Sequence, residues 1–245
     1  MDTNSGTLYG IGVGPGDPEL LTLKAVRILN RVDVIFTASS TKNSFSLAVE
    51  IAKPHIPDGA EVRSLSFPMT SDKAVMETAW AENARIIAET VETGKSAAFL
   101  TLGDPLTYST FGYVLRHLQS TFPALKVVTI PGITSYQAAA SRLNMPLVEG
   151  EESLLITSGA YGGENVRKMG DGLENVVLLK AYKNVGDITQ ALEEVNLLGN
   201  SRGISKCGRA DEEIFEDLRA LEGKKPDYWT LIIAKQGKTN GRFRE

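Results

Sequence analysis

Cysteine is nearly absent from this chain. Cys207 is the single one in 245 residues, so no intrachain disulfide can form, and a reducing cytosol is the expected compartment. A lone thiol of this kind is read first as a small buried hydrophobe rather than a nucleophile. Histidine is scarce as well. His55 and His117 are the only two, with no companions at metal-ligand spacing, which argues against a protein-held zinc or haem. No apolar run approaches the ~20 residues of a membrane-spanning helix. The opening stretch MDTNSGTLYG has neither a charged n-region nor an apolar h-region, so no secretion signal is expected. An excess of positive charge is missing too. The 26 Lys and Arg stand against 30 Asp and Glu, a balance that speaks against non-specific nucleic-acid binding.

Three common catalytic signatures also fail. Gly12-x-Gly14-x-Gly16 follows a strand-like run, but the dinucleotide fingerprint needs glycine where Asp17 stands, and a carboxylate there would repel a pyrophosphate. Gly94-Lys95-Ser96 resembles the end of a phosphate-binding loop, yet Glu89 occupies the place of its first glycine. That tripeptide also follows a helical pattern and precedes a strand, the reverse of the order such a loop requires. No G-x-S-x-G elbow occurs. Hydride transfer, nucleotide hydrolysis and acyl transfer are therefore left without a motif.

What the chain does have is organised around Ser96 to Gly112, SAAFLTLGDPLTYSTFG. Ala97 to Leu102 is a nearly continuous apolar run, as expected of a parallel strand covered on both faces. It stops at Gly103-Asp104-Pro105. Gly103 has no Cβ and allows a ligand close to the backbone, and Pro105 cannot extend a ladder. Ser109 or Thr110 can cap a following helix whose apolar face is Phe111, Val114, Leu115, Leu118 and Phe122. A carboxylate thus sits at the C-terminal end of a parallel strand, where open α/β sheets bind ligands. Taken alone, Gly-Asp-Pro is ordinary turn chemistry.

The rest of the chain reads as two successive α/β units. In the first, strands are expected at Thr7–Val13, Val32–Phe36, Glu61–Ser66, Ala97–Leu102 and Lys126–Ile130. Helices fall between them: one carrying Leu21, Ala25, Ile28 and Leu29, another over Ser44–Lys53, and a long one capped by Asp72 with Met76, Trp80, Ala84, Ile87 and Val91 at three- and four-residue spacing. Thr37 to Asn43 reads as a polar loop. Pro131-Gly132-Ile133-Thr134-Ser135 leads into a helix over Tyr136–Leu143. The second unit has expected strands at Ser153–Thr157, Val176–Lys180, Gly203–Cys207 and Tyr228–Ala234, with its clearest helix at Asp187–Leu198. The predicted division is an N-terminal domain over 1–132, a C-terminal domain over 133–236, and a disordered polar tail over 237–245.

Three pieces in this order resemble one family: Tyr9 to Pro18 (YGIGVGPGDP), Thr101 to Phe111 (TLGDPLTYSTF) and Ile130 to Ser135 (IPGITS). From about Thr7 to Ala234 the chain resembles the tetrapyrrole methylases, a two-domain class of S-adenosylmethionine-dependent methyltransferases. Gly6 to Leu29, Leu65 to Met69 (LSFPM) and Gly103 to Val114 are similar in detail to the branch that methylates the C20 bridge of corrin precursors. The resemblance implies a homodimer whose subunits each have two α/β domains with an active-site trough between them. It also implies a methyl donor, S-adenosylmethionine, and a substrate, precorrin-2 or its cobalt complex. Any cobalt would arrive inside the substrate rather than on a protein site. By the same resemblance Leu102, Gly103, Asp104, Tyr108, Ser109, Thr110 and Ile133 line the cofactor pocket, with Tyr182, Ala210 and Thr230 near the adenine. The loop Gly12, Val13, Gly14, Pro15, Gly16 and Asp17 faces the tetrapyrrole.

Those roles fit the chemistry. The cofactor carries a sulfonium, an ammonium and a carboxylate. Asp104 can accept from the ammonium or a substrate N–H, and Ser109 and Thr110 can donate to the carboxylate. Methyl transfer to an enamine-like carbon needs orientation at about 3–3.5 Å more than it needs a strong base. A proton must still leave C20 afterwards, to Asp104, a substrate carboxylate or water. A ring rimmed with acetates and propionates calls for cationic anchors. Lys180 leads among these, and Lys183, Lys206 and Arg209 follow. Lys180 could equally be a strand-end lysine reaching into water. Other readings are a methylase of another tetrapyrrole carbon or of a macromolecule, which weak salt-dependent RNA binding would favour. A carrier would bind tetrapyrrole or nucleotide without turnover.

Overall fold

The computed structural model describes residues 6–39, 46–221 and 223–237. The expected tail beyond Gly237, the later part of the Thr37–Asn43 loop and the start of the Ser44–Lys53 helix lie outside the described residues. The chain divides into two compact units, one ending at Thr134 and the other beginning at Ser135.

In the first unit the elements run β1 (Leu8–Gly12), α1 (Leu23–Leu29), β2 (Val34–Ser39), α2 (Leu47–Ala52), β3 (Glu61–Ser66), α3 (Lys73–Glu92), β4 (Ala97–Thr101), α4 (Phe111–Thr121) and β5 (Val127–Ile130). The five strands are all parallel, in the order β3-β2-β4-β1-β5. β4 is buried at every position, which explains its unbroken apolar sequence. Ala97 and Phe99 face one core with Phe36, Ile87, Phe111 and Leu118. Ala98 and Leu100 face another with Ile11, Ala25, Leu29, Ile35 and Ile51. α1 and α2 therefore cover one face, and α3 and α4 the other. The chain leaves β1 toward β2 and leaves β4 in the opposite sense toward β5. The C-terminal ends of β1 and β4 thus form a topological switch point, where such sheets open a crevice.

The caps follow the sequence. Asp72 Oδ1 accepts from the backbone N–H groups of Ala74 (2.9 Å) and Val75 (3.4 Å) at the start of α3. Thr22 Oγ1 does the same for Ala25 in α1. Phe99 is fully buried, edge-on to Phe67 at 6.1 Å and tilted on Phe111 at 5.5 Å between centroids. Phe99→Ala is expected to cost about 3–5 kcal/mol in urea unfolding, whereas Tyr161→Ala, at an exposed side chain, should stay within about 0.5 kcal/mol.

The second unit runs α5 (Ser135–Arg142), β6 (Leu154–Ser158), α6 (Glu164–Met169), β7 (Asn175–Leu179), α7 (Val185–Glu194), β8 (Ser201–Ser205), β9 (Glu213–Phe215) and β10 (Thr230–Lys235). Its sheet is mixed, in the order β6-β7-β10-β8-β9, with β10 antiparallel to both neighbours. β9, at three residues, is too short to show a period and is not foreseen by the sequence. α7 stops at Glu194 rather than Leu198. Asn196 turns left-handed (φ +58°), and Leu197 N–H closes back on Leu192 O at 2.8 Å. No helix among the described residues is long and apolar enough to cross a membrane.

Candidate active site

Three glycines from the three motif segments meet at the C-terminal edge of the parallel sheet. Gly12 ends β1, Gly103 follows β4 and Gly132 follows β5. A Cβ built on Gly12 would strike the Gly103 carbonyl oxygen and come within 2.8 Å of the Gly132 nitrogen. One built on Gly132 would strike the same oxygen and lie 2.8 Å from the Gly12 Cα. Only glycine lets the three backbones approach this closely. Gly14 and Gly103, both with positive φ, form a bridge in which Gly103 N–H donates to Gly14 O at 2.8 Å.

Asp104 locks this junction. Its Oδ1 accepts from the Leu106 amide (2.9 Å) and the Thr107 hydroxyl (3.3 Å), and its Oδ2 accepts from the Gly132 amide (3.2 Å). A carboxylate offers about four acceptor positions, so three donors leave Oδ2 one position open. The carboxylate thus ties the β4 turn to the β5 turn and is still able to meet a ligand. Ser109 Oγ accepts from the Phe111 amide at 3.1 Å, and Thr110 is the N-cap of α4 without a side-chain cap bond. Leu106 and Tyr108 are exposed beside them, Tyr108 in a left-handed conformation (φ +51°). Leu102, Gly103, Asp104, Ser109, Thr110 and Ile133 are half-buried.

On the β1 side, Gly12 and Gly14 are buried and Pro15, Gly16 and Asp17 half-buried. Asp17 Oδ1 accepts from Glu19 N–H at 2.9 Å and caps the short turn Pro18–Leu20. The first unit therefore gathers Gly12, Gly14, Leu102, Gly103, Asp104 and Gly132 at one sheet edge. Gly132 is not among the site residues expected from the sequence; the signal for it there is a glycine just after the β5 run.

The remaining candidates collect at one end of the second sheet, after β7 and β8 and before β10. Lys180 directly follows β7, its ammonium 5.9 Å from the centre of the Tyr228 ring. Lys183 sits over Tyr182 at 5.1 Å. Thr230 is fully buried, and its hydroxyl donates to Ser205 Oγ at 3.1 Å. Its carbonyl takes the Ala181 amide, so its side chain offers a ligand no surface. Ala210 is exposed on the turn after β8. Lys206 is paired with Asp211 (2.9 Å) and Asp227 (3.6 Å), and Arg209 with Asp211 (3.4 Å). Asp211 raises the pKa of Lys206, keeping it charged but neutralised.

Backbone strain marks the same places. Six non-glycine residues have positive φ among those described, and three are asparagines, which tolerate it. The other three are Tyr108, Lys180 and Lys206, each in the segment after a strand: β4, β7 and β8. Strain of this kind, about 1–3 kcal/mol per residue, gathers at functional sites. Nothing in a sequence pattern shows it.

Cys207 is buried on this side of the second unit. Burial, reinforced by the Glu212 carboxylate, pushes its thiol up to about 11. Burial opposes the charge of Glu212, yet the Gly208 amide and Arg142 keep its pKa below the usual range. At pH 8 the folded thiol should react with an alkylating reagent on the order of a hundredfold more slowly than in the urea-unfolded chain. Mass-spectrometric labelling rates in the two states check this.

The family of Tetrapyrrole (Corrin/Porphyrin) Methylases matches residues 7–222. The chain belongs to this family. It is 31% identical over 234 residues to the cobalt-precorrin-2 C(20)-methyltransferase of Salmonella typhimurium, covering 95% of this chain and 98% of that one. It is 32% identical to the precorrin-2 C(20)-methyltransferase of a Sinorhizobium species, covering 93% and 94%. The uroporphyrin-III C-methyltransferase of Thermus thermophilus, solved in complex with S-adenyl homocysteine, shares the fold with a TM-score of 0.69 at 22% identity, over 94% of this chain and 92% of that one. The two α/β units expected from the sequence are thus those of a tetrapyrrole methylase. Among the described residues of this methylase no group of three or more His, Cys, Asp and Glu side chains could hold a metal ion.

Proposed function

We propose that the chain is an S-adenosylmethionine-dependent methyltransferase acting on C20 of precorrin-2 or cobalt-precorrin-2 in cobalamin (vitamin B12) biosynthesis. The observation that carries this reading is the junction of Gly12, Gly103 and Gly132 under Asp104 at the switch point of a parallel sheet, in a chain about a third identical to C20-methyltransferases along its whole length.

The residues fit an S-adenosylmethionine molecule. Leu102, Leu106, Tyr108 and Ile133 supply apolar surface. The open position on Asp104 Oδ2 suits an ammonium, and the Ser109 and Thr110 hydroxyls suit a carboxylate. By the family resemblance the turn bearing Ala210 faces the adenine, and Thr230 acts from beneath, its carbonyl holding the Ala181 amide in the segment that follows β7. When bound, the cofactor supplies an electrophilic methyl group. The protein then needs to hold the C20 carbon in line with it and keep water out. The Gly12–Asp17 loop supports the macrocycle, and Lys180 and Lys183 take its acidic side chains. Transfer would form the carbon–carbon bond from the C20 electron pair as the donor's carbon–sulfur bond broke with its pair on sulfur, and the C20 proton would leave to Asp104, a substrate carboxylate or water. Cobalt, where present, belongs to the substrate. The reading includes a homodimer, as the family resemblance implies; its single cysteine supports a cytoplasmic location and its charge balance the absence of a nucleic-acid partner.

Anaerobic incubation with S-adenosylmethionine and precorrin-2, with and without cobalt inserted, tests the reading by mass spectrometry. A gain of one methyl group on either substrate is expected, and the faster one names the physiological form. Cofactor binding with no methyl gain on either would contradict it.

A further inference from the structure

Four cationic side chains stand at the end of the second sheet, and the structure divides them into two kinds. Lys206 and Arg209 are held by carboxylates of Asp211 and Asp227, so their charge is already answered. Lys180 and Lys183 have no carboxylate within ion-pair distance among the described residues. Each is held by an aromatic face instead, Lys180 by Tyr228 and Lys183 by Tyr182. A ring quadrupole fixes an ammonium without neutralising it. The full positive charge then remains available to an incoming anion.

The rings are themselves organised. Tyr182 and Tyr228 meet edge to face at 5.1 Å, and Tyr228 and Trp229 at 5.2 Å. Tyr228 and Trp229 are well exposed although they precede the buried strand β10. Asp227 holds the turn beneath them, accepting from the Trp229 amide at 2.9 Å while its carbonyl accepts from Thr230 N–H at 3.1 Å. Lys180 is one of the three strained non-asparagine positions, where a glycine or asparagine would sit more easily. A site for a neutral base such as adenine has no use for two unpaired ammonium groups. A ring with several carboxylates on its rim uses both cations.

We infer that Tyr228 and Tyr182 are positioning residues that hold Lys180 and Lys183 poised, still charged, for two carboxylates on the rim of the tetrapyrrole substrate. This assigns Tyr182 to the substrate rather than to the adenine. The inference rests on the proposed methyltransferase reading and deepens it.

Two measurements test it. The first is KM and kcat for precorrin-2 in the wild type, Tyr228→Leu and Tyr228→Phe. Tyr228→Leu should raise KM about fivefold with kcat little changed, and Tyr228→Phe, which keeps the ring face, should restore it. In a Lys180→Met background, adding Tyr228→Leu should change KM by less than about twofold, because the ring acts only through that lysine. An unchanged KM in Tyr228→Leu, a phenylalanine no better than the leucine, or full additivity with Lys180→Met would overturn the inference. The second is the Kd for uroporphyrin III, a stable tetrapyrrole with carboxylates on every ring, followed by porphyrin fluorescence. It should weaken in Tyr228→Leu and recover in Tyr228→Phe even where no methyl is transferred, and equal affinities in all three proteins would overturn the inference. Wild-type protein that binds uroporphyrin III with this pattern but methylates nothing would sink the reaction and leave the anchor standing.

Discussion

Asp104→Ala is expected to lower kcat/KM for the tetrapyrrole by about a hundredfold or more. The side chain has two duties that fail together. It supplies the open acceptor position at the sheet edge, and it is the link from the β4 turn to the Gly132 amide after β5. Removing it deprives that amide of its hydrogen bond to the carboxylate and frees two turns that must hold reacting atoms in line, where a displacement of about 1 Å costs on the order of a hundredfold. Cys207→Ala provides the comparison. It removes a small buried thiol, so it should lower thermal stability while leaving kcat/KM within a few-fold. Steady-state rates of the two variants beside their thermal unfolding midpoints separate lost chemistry from lost fold. Equal, near-wild-type rates in both would remove Asp104 from the site.

Gly132→Ala is expected to be at least as severe. The added methyl would collide with the Gly103 carbonyl and approach the Gly12 backbone, neither of which is a flexible side-chain end. One of the three turns must therefore move. The cofactor affinity should fall by on the order of a hundredfold, and unfolding should come earlier by about 1–3 kcal/mol. Gly112→Ala tests whether this is specific to the junction. Gly112 lies in the first turn of α4, and beyond its chain neighbours and its own helix backbone no atom comes within 4 Å of its would-be Cβ. There alanine should be neutral or stabilise by up to about 1 kcal/mol. Titration calorimetry with S-adenosylhomocysteine on both variants reads the difference directly.

The first unit was legible because its signals were redundant. β4 is apolar throughout because it is covered on both faces, α3 announces itself by Asp72 and by its three- and four-residue spacing, and each motif glycine stands where a strand ends. Proximity was less legible. That Gly12, Gly103 and Gly132 touch one another depends on strand order, which a run of apolar residues does not encode. The second unit was harder. β9 is three residues long, and α7 ends early because Asn196 turns left-handed, a choice made by tertiary closure on Leu192 rather than by local propensity. Which lysines are free was also invisible. Lys180 and Lys206 both follow strands and share the same strained conformation, and only their neighbours, a tyrosine ring for one and two aspartates for the other, set them apart.

The central claim is the position of the transferred methyl group, and one measurement addresses it. Precorrin-2 is incubated anaerobically with S-adenosylmethionine carrying a carbon-13 methyl, and the product is examined by carbon NMR. The account predicts a single new labelled methyl attached to C20, and its loss in Asp104→Ala. Label at any other ring carbon, or a labelled methyl that forms at the same rate in Asp104→Ala, would contradict it.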